Sequence, residues 1–138
     1  HVMRSRDPIV VGRVNPREDL KAVLEGGAER LARGVSIVVF PQTTRTPVFD
    51  PAEFNTIGVK LAKRAGVPVV PLALKTDAWG EGRLIKDLGR IDPSKTVHFA
   101  FGAPRCIAGR GSEEHEEIVR YISAHLAAWG GSVRQALP

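Results

Sequence analysis

Apolar residues recur at helical spacing in three stretches of the chain, separated by shorter apolar runs. The first stretch carries them at every third or fourth position: Leu20, Val23, Leu24, Ala28 and Leu31. Asn15-Pro16-Arg17-Glu18 precedes it and combines a capping residue, a proline at the first helical position and a glutamate three residues after the cap. These features predict a helix from about Pro16 to Arg33, with Gly34 as its stop. Gly26 and Gly27 inside this helix indicate either close packing or a local weakness.

Two further helices are predicted in the same way. Asp50-Pro51-Ala52-Glu53 repeats the cap pattern and starts a helix that ends near Gly66. Its apolar stripe consists of Phe54, Ile57, Leu61 and Ala65. Ser112 is predicted to cap a helix from about Glu113 to Trp129, with inward residues Ile118, Ile122, Leu126 and Trp129. Residues 132–138 are predicted to be a frayed tail.

Four apolar runs between and before these helices predict strands. Ile9 to Gly12 and Ser36 to Phe40 are short and rich in β-branched residues. Val67 to Leu74 contains two prolines, which favour an edge position or an irregular ladder. Residues 96–101 alternate between apolar and polar or small side chains. Because strands alternate with helices, the predicted fold class is α/β, with a mainly parallel sheet and helices packed on it.

The turn after the second predicted strand carries the first candidate chemistry. Phe40 is followed by Pro41 and then by the polar run Gln42-Thr43-Thr44-Arg45. Ligands of parallel α/β sheets bind outside the carboxyl ends of the strands, where Arg13 and Lys75 also follow predicted strands. Three cations at one edge repel one another unless an anion lies between them, which indicates a phosphate or carboxylate site. The alternative is a surface loop with an incidental arginine.

Composition limits the classes of partner. The chain has 138 residues, 43% of them hydrophobic, which suits one globular domain, and its net charge of +5 favours an anionic partner. The basic residues are scattered and are not interleaved with exposed aromatic residues, so no nucleic-acid partner is expected. The single cysteine, Cys106, excludes an internal disulfide and a multi-cysteine zinc site. No apolar run reaches the roughly 18 residues that suggest a membrane span.

Several familiar catalytic and ligand-binding patterns are missing from the sequence. His98, His115 and His125 have no second ligand at metal spacing, so no metal is expected. There is no P-loop, no Gly-x-Gly-x-x-Gly motif and no Gly-x-Ser-x-Gly elbow. Gly109-Arg110-Gly111 is open to two interpretations, a plain turn or a loop that touches a phosphate.

One hexapeptide resembles a motif of a known enzyme family. Phe40-Pro41-Gln42-Thr43-Thr44-Arg45 is similar to the Phe-Pro-Glu-Gly-Thr-Arg block of the glycerophospholipid acyltransferases, the lysophosphatidate acyltransferase family. Val10 to Arg13 resembles the preceding block, which ends in a phosphate-binding arginine, and Val67 to Leu72 resembles the Val-Pro-x-x-Pro block. Phe101 to Pro104 resembles the strand-end Gly-x-Pro. The four blocks occur in the family's order and cover nearly the whole chain.

The resemblance implies an O-acyltransferase of phospholipid biosynthesis. The family moves an acyl chain from a coenzyme A or acyl-carrier-protein thioester to the free hydroxyl of a lysophospholipid, and its His-x4-Asp pair supplies the general base. That pair is absent, because His1 and Asp7 are separated by five residues and the family's pair lies well before the Arg13 block. The expectation is therefore a carboxyl-terminal part of a longer acyltransferase, truncated at the N-terminus and inactive alone. The catalytic pair and a membrane anchor are expected upstream.

The resemblance also implies roles for individual residues. Arg13 and Arg45 are expected to bind the acceptor's phosphate, with Thr44 as a hydroxyl donor. Gln42 and Thr43 replace the family's Glu-Gly, which removes a carboxylate and restricts a turn that glycine leaves free. The identity of the acceptor therefore stays open.

The remaining expectations concern further contacts and partners. Lys75 is a possible additional anion contact. The implied partners are a lysophospholipid acceptor, an acyl thioester donor and an anionic membrane surface at the cytoplasmic face, with no metal or redox cofactor. The alternative function is a non-catalytic module that binds a phosphate ligand or an anionic membrane surface.

Overall fold

The computed structural model describes residues 9, 15–42, 46–78, 80 and 89–134. Within these ranges the fold is mixed α/β, as predicted. Its helices are α1 (Pro16–Ala32), α2 (Ile57–Ala65) and α3 (Ser112–Ala128), and a 3-10 helix covers Pro51–Glu53. Its strands are β1 (Val48–Phe49), β2 (Leu72–Lys75), β3 (His98–Phe101) and β4 (Ser132–Val133). None of the described helices is long and apolar enough to span a membrane.

The chain divides into two compact units. The first comprises His1–Pro41, Asn55–Val69 and Arg105–His115, and the second comprises Gln42–Phe54, Val70–Pro104 and Glu116–Pro138. The prediction of one globular domain stays a prediction.

The predicted start and stop of the first helix are confirmed. The Asn15 side chain accepts a hydrogen bond from the Arg17 backbone N–H at 3.1 Å, so it caps one of the N–H groups that the first helical turn leaves unpaired. Gly34 follows the helix with a φ of 78°, a conformation that costs glycine nothing. Local capping chemistry was therefore sufficient to place α1.

Close packing explains the second glycine of the pair inside α1. A Cβ atom on Gly27 would lie 2.7 Å from Cδ1 of Leu61, which belongs to α2 and is only 3% exposed. Val59 and Ala62 of α2 are buried as well. Gly27 therefore leaves the space that the Leu61 side chain fills between the two helices.

The second predicted helix begins later than expected. The Asp50 carboxylate accepts a hydrogen bond from Ala52 N–H at 3.0 Å, but the helix that it caps is the short 3-10 segment. A separate helix, α2, starts at Ile57 and ends at Gly66, whose φ of 65° is left-handed. The third helix matches its prediction to within one residue at each end, and its residues Ile118 and Ile122 are buried.

The second unit contains two small sheets of different type. Strands β1 and β4 are parallel, with Val48 opposite Ser132 and Phe49 opposite Val133. Strands β2 and β3 are antiparallel, from the pair Leu72 and Phe101 to the pair Lys75 and His98. The prediction of a mainly parallel sheet is therefore met in the described residues only by the β1–β4 pair.

The predicted strand at Ser36 to Phe40 is not a strand in the structure. Residues 35–40 have no regular secondary structure, and Val38 and Phe40 are 68% and 73% exposed. A β-branched run becomes a strand only when a neighbouring strand satisfies its backbone, and the described residues supply none here. Similarly, the strand predicted to begin at Val67 begins at Leu72, because Pro68 and Pro71 interrupt the ladder. Of the run from Ile9 to Gly12, only Ile9 lies within the described residues.

The beginning of the predicted frayed tail is ordered by long-range contacts. Ser132 and Val133 form β4, and the Arg134 backbone N–H donates to the Phe49 carbonyl at 2.8 Å. The Arg134 guanidinium also donates to the Asp50 carboxylate at 2.5 Å. The prediction of a tail was wrong for residues 132–134 because their partners lie more than 80 residues away along the chain. Residues 135–138 lie outside the described part.

Candidate functional site

The structure describes two of the six predicted anion contacts, Gln42 and Lys75. Arg13 and the run Thr43-Thr44-Arg45 lie outside the described residues. Their roles in anion binding therefore stay predictions. The geometry of the site comes from the residues on either side of the run.

The entry to the polar turn is held by Asn55. Both the side-chain amide and the backbone N–H of Asn55 donate to the carbonyl of Pro41, the latter at 3.4 Å. The Asn55 side-chain oxygen accepts from the Ile57 N–H at 3.0 Å, at the start of α2. One residue thus ties the beginning of the turn to the beginning of a helix. Sequence reasoning missed this role, although asparagine side chains are known to accept from the backbone N–H two residues on, in an Asx-turn.

The side chain of Gln42 carries a donor without a partner. Its Nε2 atom is buried and makes no hydrogen bond within the described part of the chain. A buried donor left unpaired costs about 1–3 kcal/mol, which a hydrogen bond to a ligand oxygen would recover. The amide at this position therefore offers a donor where the family motif has a carboxylate.

Lys75 is already paired with an anion of the chain itself. Its Nζ atom donates to Oδ1 of Asp77 at 3.0 Å, and Nζ of Lys95 lies 3.9 Å from the other carboxylate oxygen. The hydrogen bond from Lys75 is the largest cause of the lowered pKa of Asp77, and the charges of both lysines act in the same direction. Asp77 is therefore ionised at neutral pH and balances much of the Lys75 charge. The pattern Lys75-x-Asp77 across a turn could have signalled this pair.

Lys75 was grouped with Arg13 and Arg45 on the premise that the strands before them are parallel. In the described residues, the strand that pairs with β2 runs antiparallel to it. In the described ranges no hydrogen bond or ion pair links Gln42 to Lys75. A shared edge for Arg13, Arg45 and Lys75 stays a prediction.

Replacing Asp77 with asparagine is expected to strengthen anion binding if Lys75 belongs to the site. The substitution removes the charge that competes for the Lys75 ammonium, and an exposed ion pair of this kind contributes about 0.2–1 kcal/mol, or up to about fivefold in affinity. Titration with a lysophosphatidate analogue measures the change. Asp92→Asn is the matched control, because the Asp92 carboxylate accepts its hydrogen bonds from the Ser94 N–H and hydroxyl and makes none with Lys75. Unchanged affinity in Asp77→Asn removes Lys75 from the site.

The loop around Gly109-Arg110-Gly111 favours the interpretation as a plain turn. Both glycines have positive φ, 48° and 80°. The Ala108 N–H at the start of this loop donates to the Glu114 carboxylate at 2.7 Å, and this bond is the main cause of the lowered pKa of Glu114. Lys63 donates to the Gly109 carbonyl at 2.6 Å. The Glu114 carboxylate thus already accepts the hydrogen bond from the Ala108 N–H, which a phosphate would otherwise accept.

The described residues contain no group of three or more His, Cys, Asp or Glu side chains that could hold a metal ion. The described residues supply an α/β scaffold, and the sequence adds a proline-led polar run with arginine and hydroxyl side chains, Gln42 to Arg45. These residue types are suited to an anion, and their role in phosphate binding stays a prediction.

Comparison with known proteins identifies a relative of this chain. A 1-acyl-sn-glycerol-3-phosphate acyltransferase of Pseudomonas aeruginosa strain PAO1 is 34% identical over 123 residues, which cover 87% of this chain and 46% of that protein. The chain is thus related to the 1-acyl-sn-glycerol-3-phosphate acyltransferases, which confirms the resemblance seen in the motifs. It spans about half the length of this relative. No protein-family model and no solved structure matches the chain.

The region matched by this relative includes most of the motif blocks. With 87% of the chain covered, the unmatched remainder at the ends is too short to reach residues 42–45, 67–72 or 101–104. Three of the four blocks that carry the resemblance therefore lie inside the matched region.

Proposed function

We propose that this chain is the acceptor-binding part of an acyltransferase. The reaction would move a fatty acyl group from an acyl-CoA or acyl-carrier-protein thioester to the hydroxyl of a lysophospholipid such as lysophosphatidate. The observation that carries the proposal is the 34% identity to a 1-acyl-sn-glycerol-3-phosphate acyltransferase over nearly the whole chain. The ordered motif blocks support it independently of overall identity.

In this proposal the polar turn binds the acceptor's phosphate. Arg13 and Arg45 each present a planar fork of N–H donors, which matches the geometry of phosphate oxygens, and the Thr44 hydroxyl adds a donor. The buried, unpaired Nε2 atom of Gln42 adds another at the start of the turn. Asn55 donates a hydrogen bond to the Pro41 carbonyl, which fixes the position at which the polar run begins.

The proton-transfer step is proposed to need residues other than these 138. The acceptor hydroxyl must lose its proton as it attacks the thioester carbonyl, and the sequence holds no His-x4-Asp pair to accept it. The chain by itself is therefore proposed to bind the acceptor without transferring the acyl group. Its net charge of +5 supports a location at an anionic membrane surface, on the cytoplasmic side. No metal or redox cofactor is part of the proposal.

Binding measurements with matched lipids test the acceptor site. The chain is titrated with a soluble short-chain lysophosphatidate and with the monoacylglycerol that lacks only the phosphate. The phosphorylated lipid is expected to bind more tightly. Arg13→Ala and Arg45→Ala are each expected to lower the affinity for this lipid about tenfold or more. A hydrogen bond to a charged group contributes about 1.5–3 kcal/mol, and about 1.4 kcal/mol corresponds to tenfold.

Arg110→Ala is the control, because this exposed arginine lies on the loop after Ala108, whose amide already has a carboxylate partner. It is expected to leave the affinity for both lipids unchanged. Equal binding of the two lipids, or equal effects of all three arginine substitutions, contradicts the assigned phosphate site.

A further inference from the structure

The sequence around Gln42 contains cations and no carboxylate. From Arg30 to Phe49 the chain carries three arginines and neither aspartate nor glutamate. The first acidic residue after this stretch is Asp50, whose carboxylate accepts hydrogen bonds from the Ala52 N–H and the Arg134 guanidinium. The charge of Asp50 is therefore already balanced within the chain. An anion beside Gln42 meets no carboxylate from this stretch that would repel it.

The side chain of Gln42 offers a ligand its donor. An amide donates through Nε2 and accepts through Oε1, and in the described part of the chain the Nε2 atom is buried without a hydrogen-bond partner. The residue as a whole is only half-buried, so rotation about its side-chain bonds presents this donor to a ligand. An N–H donor forms its strongest hydrogen bonds with an oxygen that carries negative charge.

The charge of a phosphate monoester changes close to neutral pH, because its second pKa is about 6. Above that pH the group is a dianion with unprotonated terminal oxygens, all of which accept hydrogen bonds. Below it the group is a monoanion, which keeps a P–OH that needs an acceptor. A glutamate at position 42, as in the family motif, would accept from the P–OH and would repel the dianion. A neutral amide that donates has the opposite preference.

We propose that Gln42 makes the acceptor site selective for the dianionic form of a phosphate monoester. This inference rests on the proposed acceptor site and adds the ionisation state and the ester class of its ligand. Lysophospholipids with a phosphodiester keep a single negative charge and bind less tightly. Gln42 is thus a residue that determines specificity, because its amide donates to the dianion and adds no charge that opposes it.

An unpaired buried donor lowers the stability of the ligand-free chain, and this cost separates a binding role from a structural one. Gln42→Met keeps a long, unbranched side chain and removes both polar atoms. It is expected to raise the midpoint of thermal unfolding by about 2–8 °C, since the desolvation cost disappears. The same variant is expected to bind lysophosphatidate about tenfold more weakly, because it cannot donate. A lowered midpoint means that the amide has a partner within the chain, and it overturns the proposal.

Calorimetric titrations at pH 5 and pH 7.5 test the selectivity. The ligands are a soluble short-chain lysophosphatidate and its methyl phosphodiester, which has no group that titrates in this range. The affinity of the wild-type chain for the monoester is expected to rise about tenfold, as the dianion fraction does for a pKa of about 6. In Gln42→Glu this rise is expected to disappear, with at least tenfold weaker binding than wild type at pH 7.5. The histidines of the chain titrate in the same range but affect both ligands, so the diester corrects for them.

Arg120→Gln is the matched control for charge. It also lowers the net charge by one, at an exposed position of α3, and is expected to keep the wild-type pH profile. A tenfold rise that persists in Gln42→Glu overturns the inference, as does equal binding of the monoester and the diester at pH 7.5. If lysophosphatidate still binds more tightly than the monoacylglycerol in either case, the proposed phosphate site itself stands. If the wild-type chain binds these two lipids equally, the proposed function and this inference are both overturned.

Discussion

Replacing Gly111 with alanine is expected to destabilise the chain by about 2–5 kcal/mol. The φ angle at this position is +80°, a left-handed conformation that costs an L-residue about 1–2 kcal/mol. The added Cβ atom would also lie 2.5 Å from Cγ1 of Val59 and 2.9 Å from Cγ2 of Ile107. Val59 is buried in α2 and its branched side chain is stiff, so relief requires a backbone shift of the kind that overpacking produces, at about 1–3 kcal/mol.

Gly109→Ala is the matched control for this prediction. Gly109 lies in the same loop with a φ of +48°, and a Cβ atom there would meet nothing within 4 Å. Only the conformational cost of about 1–2 kcal/mol applies to it. Urea unfolding followed by circular dichroism gives both free energies of unfolding. If Gly111→Ala and Gly109→Ala lower the free energy of unfolding equally, contact with Val59 and Ile107 does not contribute to the loss of stability.

Truncating Leu61 to alanine is expected to cost about 2–5 kcal/mol of stability. The side chain is 3% exposed and lies against Gly27 of α1, so its removal loses apolar burial and leaves a cavity between α1 and α2. The same unfolding measurement gives this value. Lys60→Ala on the exposed side of α2 is the control and is expected to change the free energy of unfolding by less than about 0.5 kcal/mol.

The effect of Gly27→Ala on the free energy of unfolding is expected to change sign when Leu61 is replaced with alanine. In the wild-type chain the new Cβ atom would lie 2.7 and 2.8 Å from the two Cδ atoms of Leu61, which destabilises the pair of helices. In Leu61→Ala the obstructing atoms are gone, and alanine gains about 0.8–1 kcal/mol over glycine in a helix. A double-mutant cycle measures the difference as a coupling energy. Additive effects would contradict direct packing of Gly27 on Leu61.

The proposed phosphate site was predictable only as a set of residue types. Arginine, threonine and glutamine around Pro41 have the donors that an anion needs, and motif order indicated which enzymes share them. The Lys75–Asp77 pair was visible in the sequence as a local pattern, whereas the contact between Asn55 and Pro41, 14 residues apart, was not. A contact of the second kind depends on where the chain folds back, which no local pattern specifies.

The helices were the part of the fold that the sequence determined by itself. Caps such as Asn15, stop glycines such as Gly34 and apolar spacing act within one or two turns, so the information lies next to the residues that it orders. The relationship to the acyltransferases was also present in the sequence, as ordered motif blocks.

The sequence located β2 and β3 approximately, but only the tertiary structure decided which segments pair and in which direction. The apolar run at Ser36 to Phe40 has strong β propensity yet no described partner, whereas Ser132 and Val133, in the predicted tail, pair with Val48 and Phe49. The direction of β2 relative to β3 was likewise set by pairing, against the expectation of parallel strands. A strand is stabilised by hydrogen bonds to residues distant in sequence, so its existence, direction and exposed edge depend on the fold as a whole.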